Sequence, residues 1–206
     1  MDQTNQNKKL KICAWNACGG LANKKVEIEN FLNSHDVDIF LVSETLLSDK
    51  CKFNFPSYKT YKNRSDNNKR CTAIFIKHSI DHFEIPLALT DVEATAVIIK
   101  AKNKNIAIIS TYNSPSKKFN KNDYDKIFKT ASMVISAGDF NAKHTWWGSR
   151  SKNPLGAEVQ NYCFKNDLSF HAPSEFIFYP HCKRYKLLSK YLCDPRARLR
   201  SLSSKL

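Results

Sequence analysis

The segment "VDIFLVSE", residues 37–44, is a short and almost continuous apolar run that ends in a carboxylate. Such a run is typical of a β-strand buried on both faces, because a strand with one wet face alternates apolar and polar side chains. The segment "MVISAGDF", residues 133–140, predicts another strand. A chain with doubly buried strands has to cover its sheets on both sides, which predicts a layered structure.

The other periodic segments supply the remaining layers. "LKICAWN" alternates and predicts a strand, whereas "NKKVEIENFLNSH" predicts a helix with Asn23 as its N-cap. "CTAIFIKHSIDHFEI" predicts two strands around a turn, and "EATAVIIKAKNKNIAIISTY" predicts a hairpin with "KNKN" at its tip. "NKNDYDKIFKTA" and "PLGAEVQNYCFKN" predict helices, the second with Pro154 near its start, and "FIFYP" predicts a last short strand. Hairpins mixed with strand–helix–strand steps predict an α/β protein with two packed mixed sheets and helices outside them.

Composition limits the class of protein. A length of 206 residues with 42% hydrophobic content predicts one globular domain. No apolar run approaches the ~18 residues of a membrane span, and "MDQTNQNKKLK" lacks the apolar core of a signal peptide. The seven cysteines are odd in number and form no C-x-x-C pair, which argues against a disulfide framework or a zinc knuckle. We expect an intracellular, soluble protein with free thiols and no membrane partner.

The net charge of +14 is unevenly distributed. From Cys182 onward, eight Lys or Arg residues stand against the single acid Asp194, so this segment carries +7 and residues 1–181 carry the other +7. A basic surface attracts polyanions through phosphate contacts and counterion release. The charge therefore favours nucleic acid as a partner, although solubility alone would also account for a basic surface.

Polar side chains end four of the predicted strands. They are Asn16, Glu44, Tyr112 with Asn113, and Asp139 with Asn141. Each of them taken singly has an ordinary explanation, because polar residues commonly end strands and begin turns. Strand ends at one rim of a sandwich lie near each other, so the four together predict a single site.

The residue types at these ends suit phosphate chemistry. Mg²⁺ prefers oxygen ligands and takes one or two protein carboxylates, which Glu44 and Asp139 can supply. A divalent ion there would neutralise charge that develops on a phosphodiester and on its leaving oxygen. Asn16 and Asn141 can donate hydrogen bonds to phosphate oxygens or to an attacking water, and Tyr112 can orient the phosphate or donate a proton.

The ordered motifs "AWN", "VSET", "TYNSP" and "GDFNAKHTWWGSR" resemble the endonuclease/exonuclease/phosphatase superfamily, whose fold is like that of deoxyribonuclease I. More closely, they resemble the endonuclease domain of reverse-transcriptase polyproteins from Jockey-like non-long-terminal-repeat retrotransposons. The resemblance implies a four-layered α/β sandwich over residues 10–182 and a DNA endonuclease that nicks a phosphodiester with Mg²⁺ or Mn²⁺. Its product would be a 3′ hydroxyl that primes reverse transcription, so a functional protein would be nuclear.

The resemblance also implies a role for each matching residue. Glu44 is implied as a metal ligand, with Asn16 beside the metal and the phosphate. Tyr112 matches the active-site tyrosine, Asp139 the acid that orients the nucleophilic water, and Asn141 the amide partner of that acid. A further signature, "HTWWG", places His144, Trp147 and Gly148 in a loop-forming role, and Cys71 stands where the family often has glycine.

After Cys182 the sequence departs from the family pattern. The family continues with an Asp in an apolar strand and a closing Ser-Asp-His, and neither motif occurs here. We therefore expect a truncated domain that lacks its last strands, a basic tail at residues 183–206 without strand periodicity, and a disordered segment at residues 1–9. Loss of the acid–base pair predicts a catalytically impaired enzyme.

Two alternative functions stay open at the level of sequence. One is a phosphatase or lipid phosphodiesterase of the same superfamily, although no small-molecule substrate is expected from the subgroup motifs. The other is a non-catalytic nucleic-acid binder that relies on basic charge and on Trp146 or Trp147 for base stacking. We expect both tryptophans to pack the loop against the body of the domain instead of stacking on bases.

Overall fold

The computed structural model describes residues 10–19, 21–47, 52–63, 71–101, 104–171 and 190–193. Within these ranges the chain forms ten strands and three α-helices. The strands are β1 (Ile12–Asn16), β2 (Ile39–Ser43), β3 (Tyr58–Lys62), β4 (Thr72–Lys77), β5 (His82–Ile85), β6 (Val92–Ala101), β7 (Lys104–Asn113), β8 (Met133–Asp139), β9 (Ser169–His171) and β10 (Lys190–Cys193). The helices are α1 (Lys25–Ser34), α2 (Lys121–Phe128) and α3 (Pro154–Lys165).

The strands form two mixed sheets, as the sequence predicts. The first has the order β1-β2-β4-β3, and the second has the order β5-β6-β7-β8-β10-β9. The pairs β1–β2 and β7–β8 are parallel, and the other pairs are antiparallel. Each parallel pair is joined by a helical crossover, α1 or α2, because parallel neighbours cannot be linked by a tight turn.

Three apolar layers hold the sheets and helices together. Alternating side chains of β4 face opposite ways: Ala73 and Phe75 pack on the α1 side, whereas Ile74 and Ile76 pack between the sheets. On the far side of the second sheet, α2 and α3 cover β6, β7 and β8. The order of layers is helix, sheet, sheet, helix, so the predicted four-layered α/β sandwich is confirmed.

Several local predictions need correction. Asn23 does not cap α1: it lies within a 3₁₀ turn (Ala22–Lys24), and the N-cap position is taken by Lys24 without a side-chain cap. The two strands predicted around a turn in "CTAIFIKHSIDHFEI" are present as β4 and β5, and they join different sheets. Strand β3, with the sequence "YKTYK", gave no apolar signal because only its two tyrosines are buried. The segment "FIFYP" lies outside the described residues.

The segment after Cys182 contains a strand that its sequence does not predict. β10 lies between β8 and β9 and pairs antiparallel with both of them. Strand formation there follows from the unpaired backbone groups along the edge of β8, which a neighbouring chain segment satisfies whatever its side-chain pattern. Residues 190–193 thus form a strand within a segment whose sequence has no strand periodicity.

Gly138 occupies the last buried position of β8, next to Asp139. Its φ is +149°, and a Cβ atom there would lie 1.9 Å from the carbonyl oxygen of Thr111 on β7. Gly148 also has a positive φ, +77°, but nothing lies within 4 Å of its Cβ position. Both glycines thus have a positive φ, but only Gly138 lacks room for a side chain.

We predict that Gly138→Ala lowers the free energy of unfolding by at least about 2 kcal/mol, because the neighbouring strand has to move. The matched variant Gly148→Ala should cost only about 1 kcal/mol, the cost of a left-handed alanine. Urea unfolding of both variants measures the difference. Equal losses would contradict a close approach of β8 to Thr111.

Candidate functional site

The polar strand ends meet at one rim, between the two sheets. Residues two apart on a strand share a face, so Asn16 lies on the face of Ala14, which packs between the sheets. By the same rule Tyr112 lies on the strand face of Ile108 and Asp139 on that of Ile135, and both isoleucines pack between the sheets. The parallel register then places Tyr112 directly opposite Asp139. Four distant segments thus deliver their terminal side chains to the same place.

The side-chain amide of Asn16 connects the two sheets at this rim. Its Nδ2 group donates to Oε1 of Glu44 at 3.0 Å and to Oδ2 of Asp139 at 2.8 Å. Its Oδ1 atom accepts a hydrogen bond from the backbone N–H of Cys18 at 2.8 Å, which fixes the orientation of the amide. A single neutral group therefore holds two carboxylates close together without adding charge.

Glu44 is held in an unusual backbone conformation. Its φ is +54°, in the left-handed region that costs a non-glycine residue about 1–2 kcal/mol. The Glu44 carbonyl accepts from Gly19 N at 2.8 Å, and the next residue, Thr45, donates from its N–H to the Cys71 carbonyl at 3.2 Å. The side chain is only 6% exposed. Strain of this kind persists where the surrounding structure fixes a functional geometry.

Asp139 and Asn141 form a second hydrogen-bonded unit after β8. The N–H of Asn141 donates to Oδ1 of Asp139 at 2.9 Å, so both carboxylate oxygens of Asp139 accept hydrogen bonds. The Nδ2 group of Asn141 donates to the Asn113 carbonyl at 2.8 Å, which ties this turn to the end of β7. Asn141 also has a positive φ, +48°, a conformation that asparagine tolerates better than most residues.

Tyr112 is the least accessible of the predicted site residues. It is 1% exposed, although it lies beside Asp139 in the sheet. An enclosed tyrosine of this kind is better suited to fixing the wall of the site than to reaching out to bulk solvent. All five predicted site residues are thus found at one rim, where Asn16 directly contacts both Glu44 and Asp139.

The "HTWWG" signature forms a compact loop directly after the site. The His144 side chain accepts from Trp146 N, and Gly148 ends the turn with a φ of +77°. Trp147 is buried, stacks on Phe170 at a centroid distance of 4.1 Å, and donates from Nε1 to the Ala142 carbonyl. These contacts agree with the loop-forming role predicted for the signature. Trp146 does not pack against the body as expected, since 55% of it is exposed.

Glu93 is a rim residue that sequence reasoning missed. It begins β6 opposite Tyr112, and its Oε2 atom accepts from Cys71 N at 2.8 Å across the gap between the sheets. Cys71 adopts a φ of +49°, a backbone conformation that glycine adopts more easily, and its carbonyl accepts from Thr45 N. A signal was available, because Glu93 shares the strand face of Val97, which packs between the sheets.

The donor set at the rim fits a hard divalent cation. Two carboxylates lie within reach of one amide group, and all of the available ligand atoms there are oxygens. Among the residues that the structure describes, no three His, Cys, Asp or Glu side chains cluster as a metal site. Mg²⁺ needs no such cage, since it keeps several waters and binds through one or two carboxylates.

The cysteines that can be placed are free thiols, as the sequence predicts. Burial raises the pKa of Cys13 and of Cys163 to about 12, so both thiols stay protonated and unreactive at neutral pH. Cys18 is exposed and lies two residues after Asn16. Burial therefore keeps the thiols of Cys13 and Cys163 out of any chemistry at neutral pH.

The sequence is similar to one protein family and to polymerases of mobile elements. A family described as endonuclease-reverse transcriptase matches residues 106–186, from β7 onward. The chain is 28% identical over 176 residues to the RNA-directed DNA polymerase from mobile element jockey of Drosophila melanogaster. It is 29% identical over 181 residues to the probable RNA-directed DNA polymerase from transposon X-element of the same fly. Each match covers 84% of this chain but only 19% of the relative, so the chain spans about a fifth of their length.

Solved structures share the fold. The endonuclease domain of TRAS1, a telomere-specific non-LTR retrotransposon, aligns with a TM-score of 0.73 at 20% identity, over 91% of this chain and 86% of that domain. The AP endonuclease LMAP from Leishmania major aligns with a TM-score of 0.66 at 13% identity, over 91% and 79%. The predicted resemblance to the endonuclease/exonuclease/phosphatase superfamily is confirmed. Within this superfamily fold, the rim that carries Asn16, Glu44 and Asp139 is the candidate active site.

We predict that Glu93→Ala destabilises the protein by about 1–3 kcal/mol, because Cys71 N–H loses its acceptor in a partly buried place. Glu93→Gln keeps an acceptor oxygen at the same position and should recover most of that loss. Urea unfolding of the pair measures this. A Gln variant as unstable as the Ala variant would show that the Cys71 contact is not what Glu93 contributes.

Proposed function

We propose that this chain is the DNA endonuclease domain of a retrotransposon reverse-transcriptase polyprotein, and that it nicks a phosphodiester with the help of Mg²⁺ or Mn²⁺. The observation that carries the proposal is the pair of carboxylates, Glu44 and Asp139, held by the single amide of Asn16. Two carboxylates at this separation repel one another, and a divalent cation relieves that repulsion. The names of the polymerase relatives and of the TRAS1 domain support the choice of DNA as the substrate.

Glu44 would hold the metal ion, with Asn16 beside it and Asp139 on the other side of the amide. When bound, the ion neutralises negative charge on the phosphodiester and on the leaving oxygen. The neutral amide suits this position, because it orders the carboxylates without competing with the cation for anionic ligands. These assignments rest on the residue types and on the hydrogen bonds at the rim.

Asp139 is the group proposed to orient the attacking water. Each of its carboxylate oxygens accepts one protein hydrogen bond, and each retains a lone pair for a water hydrogen. Asn141 donates one of its two amide hydrogens to Asn113, so the other is available for a phosphate oxygen. Tyr112 lies beside Asp139 in the sheet, and its proposed role is to support the wall of the site.

We further propose that catalysis is impaired. The segment after Cys182 departs from the family pattern at the place where the resemblance implies an acid–base pair. Loss of general acid–base assistance typically costs a factor of about 10²–10⁴ in rate. The carboxylate pair would then bind metal and orient water, while protonation of the leaving oxygen falls to solvent.

None of the helices in the described ranges has the length and apolar character needed to cross a membrane. We propose a nuclear location, because chromosomal DNA is the target that an endonuclease of a mobile element has to reach. The net charge of +14 suits a DNA partner through phosphate contacts. The same charge also suits the alternative of a non-catalytic DNA binder, which the experiment below separates from the enzyme.

We predict slow nicking of supercoiled plasmid that requires Mg²⁺ and stops when a chelator is added. Asp139→Ala and Glu44→Ala should each lower the rate at least about 100-fold, because one removes the group proposed to orient the attacking water and the other a proposed metal ligand. Glu158→Ala is the matched control, since Glu158 is an exposed acid on α3 and should leave the rate unchanged. Gel assays of nicked and supercoiled plasmid give these rates.

Three other outcomes would contradict the endonuclease assignment. Nicking that survives both substitutions would come from other chemistry. Hydrolysis of a phosphomonoester without nicking would favour the phosphatase alternative. Retardation of DNA without nicking, weakened steeply by salt, would favour the non-catalytic binder.

A further inference from the structure

Trp146 is a large aromatic side chain exposed on the loop that follows Asn141. It is 55% exposed, whereas Trp15 and Trp147 are 6% and 8% exposed. Its neighbour Trp147 fills the core contact of the loop, so the exposure of Trp146 is not needed to pack this turn. The Trp146 ring lies 6.4 Å from that of Trp147, but more than half of the residue stays in water. An aromatic side chain exposed to this extent is a candidate contact for another molecule.

The loop that carries Trp146 is rigidly attached to the site. Asn153 closes it: its Nδ2 group donates to the Asn141 carbonyl at 2.8 Å, and its Oδ1 atom accepts from Lys143 N at 2.8 Å. The same Oδ1 atom accepts from Gly156 N at the start of α3. Trp146 N–H is in turn held by His144. The aromatic ring is thus presented from a frame that begins at Asn141, a residue of the site.

The charge of this loop complements a polyanion. Residues 142–153 contain Lys143, Arg150 and Lys152 and no Asp or Glu. All three basic residues are exposed. Basic side chains around an aromatic face form the combination that binds nucleic acid by phosphate contacts and base stacking.

We propose that Trp146 stacks on an unpaired base of DNA next to the cleaved phosphate, so that the site prefers duplexes with a bulged or mismatched base. The proposal rests on the endonuclease function and specifies its substrate. Stacking needs an accessible base face, which an intact duplex covers and a bulge exposes. Extruding a base that is already unpaired also costs less than breaking a pair.

The test is binding to two DNA duplexes of equal length, one fully matched and one with a two-nucleotide bulge, with a chelator present so that no cleavage occurs. Stacking typically contributes about 1–3 kcal/mol per base, so the whole chain should bind the bulged duplex about 5- to 150-fold more tightly. Its tryptophan fluorescence should be quenched on binding, because the exposed Trp146 is the ring that meets the base.

The variants assign this preference to one side chain. Trp146→Ala should lose both the quenching and the preference, and Trp146→Phe should keep part of the preference. Phe164→Ala is the control: Phe164 is 78% exposed and lies near the end of α3, about 15 Å along the helix from Pro154. Lys143→Ala should weaken binding to both duplexes equally and reduce the salt dependence by about one phosphate contact.

The proposal is overturned if Trp146→Ala keeps the preference or the quenching. It is also overturned if sedimentation shows that this variant changes self-association instead of DNA binding. The binding result is separate from the nicking result. A bulge preference that depends on Trp146 without any nicking would contradict the endonuclease function. Nicking with a bulge preference that does not depend on Trp146 would contradict only the stacking role.

Discussion

The side-chain amide of Asn16 links the two sheets at the candidate site. Asn16 comes from the first sheet and Asp139 from the second, 123 residues later, and their 2.8 Å hydrogen bond crosses the gap between them. Asn16 also reaches Glu44, so the separation of the two carboxylates is set by one planar group. Everything proposed for this site depends on that spacing, because carboxylates held further apart could not share an ion and a phosphate.

The rest of the sandwich serves to maintain this contact. The apolar layer between the sheets fixes their separation, and further hydrogen bonds cross it near the rim: Ser110 Oγ donates to the Val42 carbonyl at 3.0 Å, and Thr95 Oγ1 donates to the Thr72 carbonyl at 3.0 Å. The strained conformations of Glu44 and Asn141 lie on either side of the amide. Local strain of about 1 kcal/mol per residue is stabilised there by the packed layers on which the loops rest.

Much of this architecture was predictable because it follows from periodicity. The buried run ending at Glu44, the hairpin of β6 and β7, and the strand ending at Asp139 all have the side-chain pattern of their final environment. The convergence of Asn16, Glu44 and Asp139 followed from the rule that neighbouring strand ends share a rim. Their individual roles came from the family resemblance and from the chemistry of the residue types.

What the sequence did not predict depends on long-range pairing. β10 pairs with the backbone groups along the edge of β8, and its own side-chain pattern does not indicate a strand. Glu93 was missed because a glutamate at the start of a strand is usually solvated, and its partner Cys71 lies on the other sheet. The exposure of Trp146 was missed because the sequence does not show which of two adjacent tryptophans is buried. In the structure only Trp147 fits under the loop.

The central claim is that Glu44 and Asp139 face one divalent ion across the Asn16 amide. It is tested most directly by a crystal structure of the chain grown with Mn²⁺, in which anomalous scattering locates the ion. We expect one strong anomalous peak about 2 Å from a carboxylate oxygen of Glu44 and on the Asp139 side of the rim. A peak elsewhere, or an empty rim at a saturating concentration of Mn²⁺, would contradict the proposed metal site.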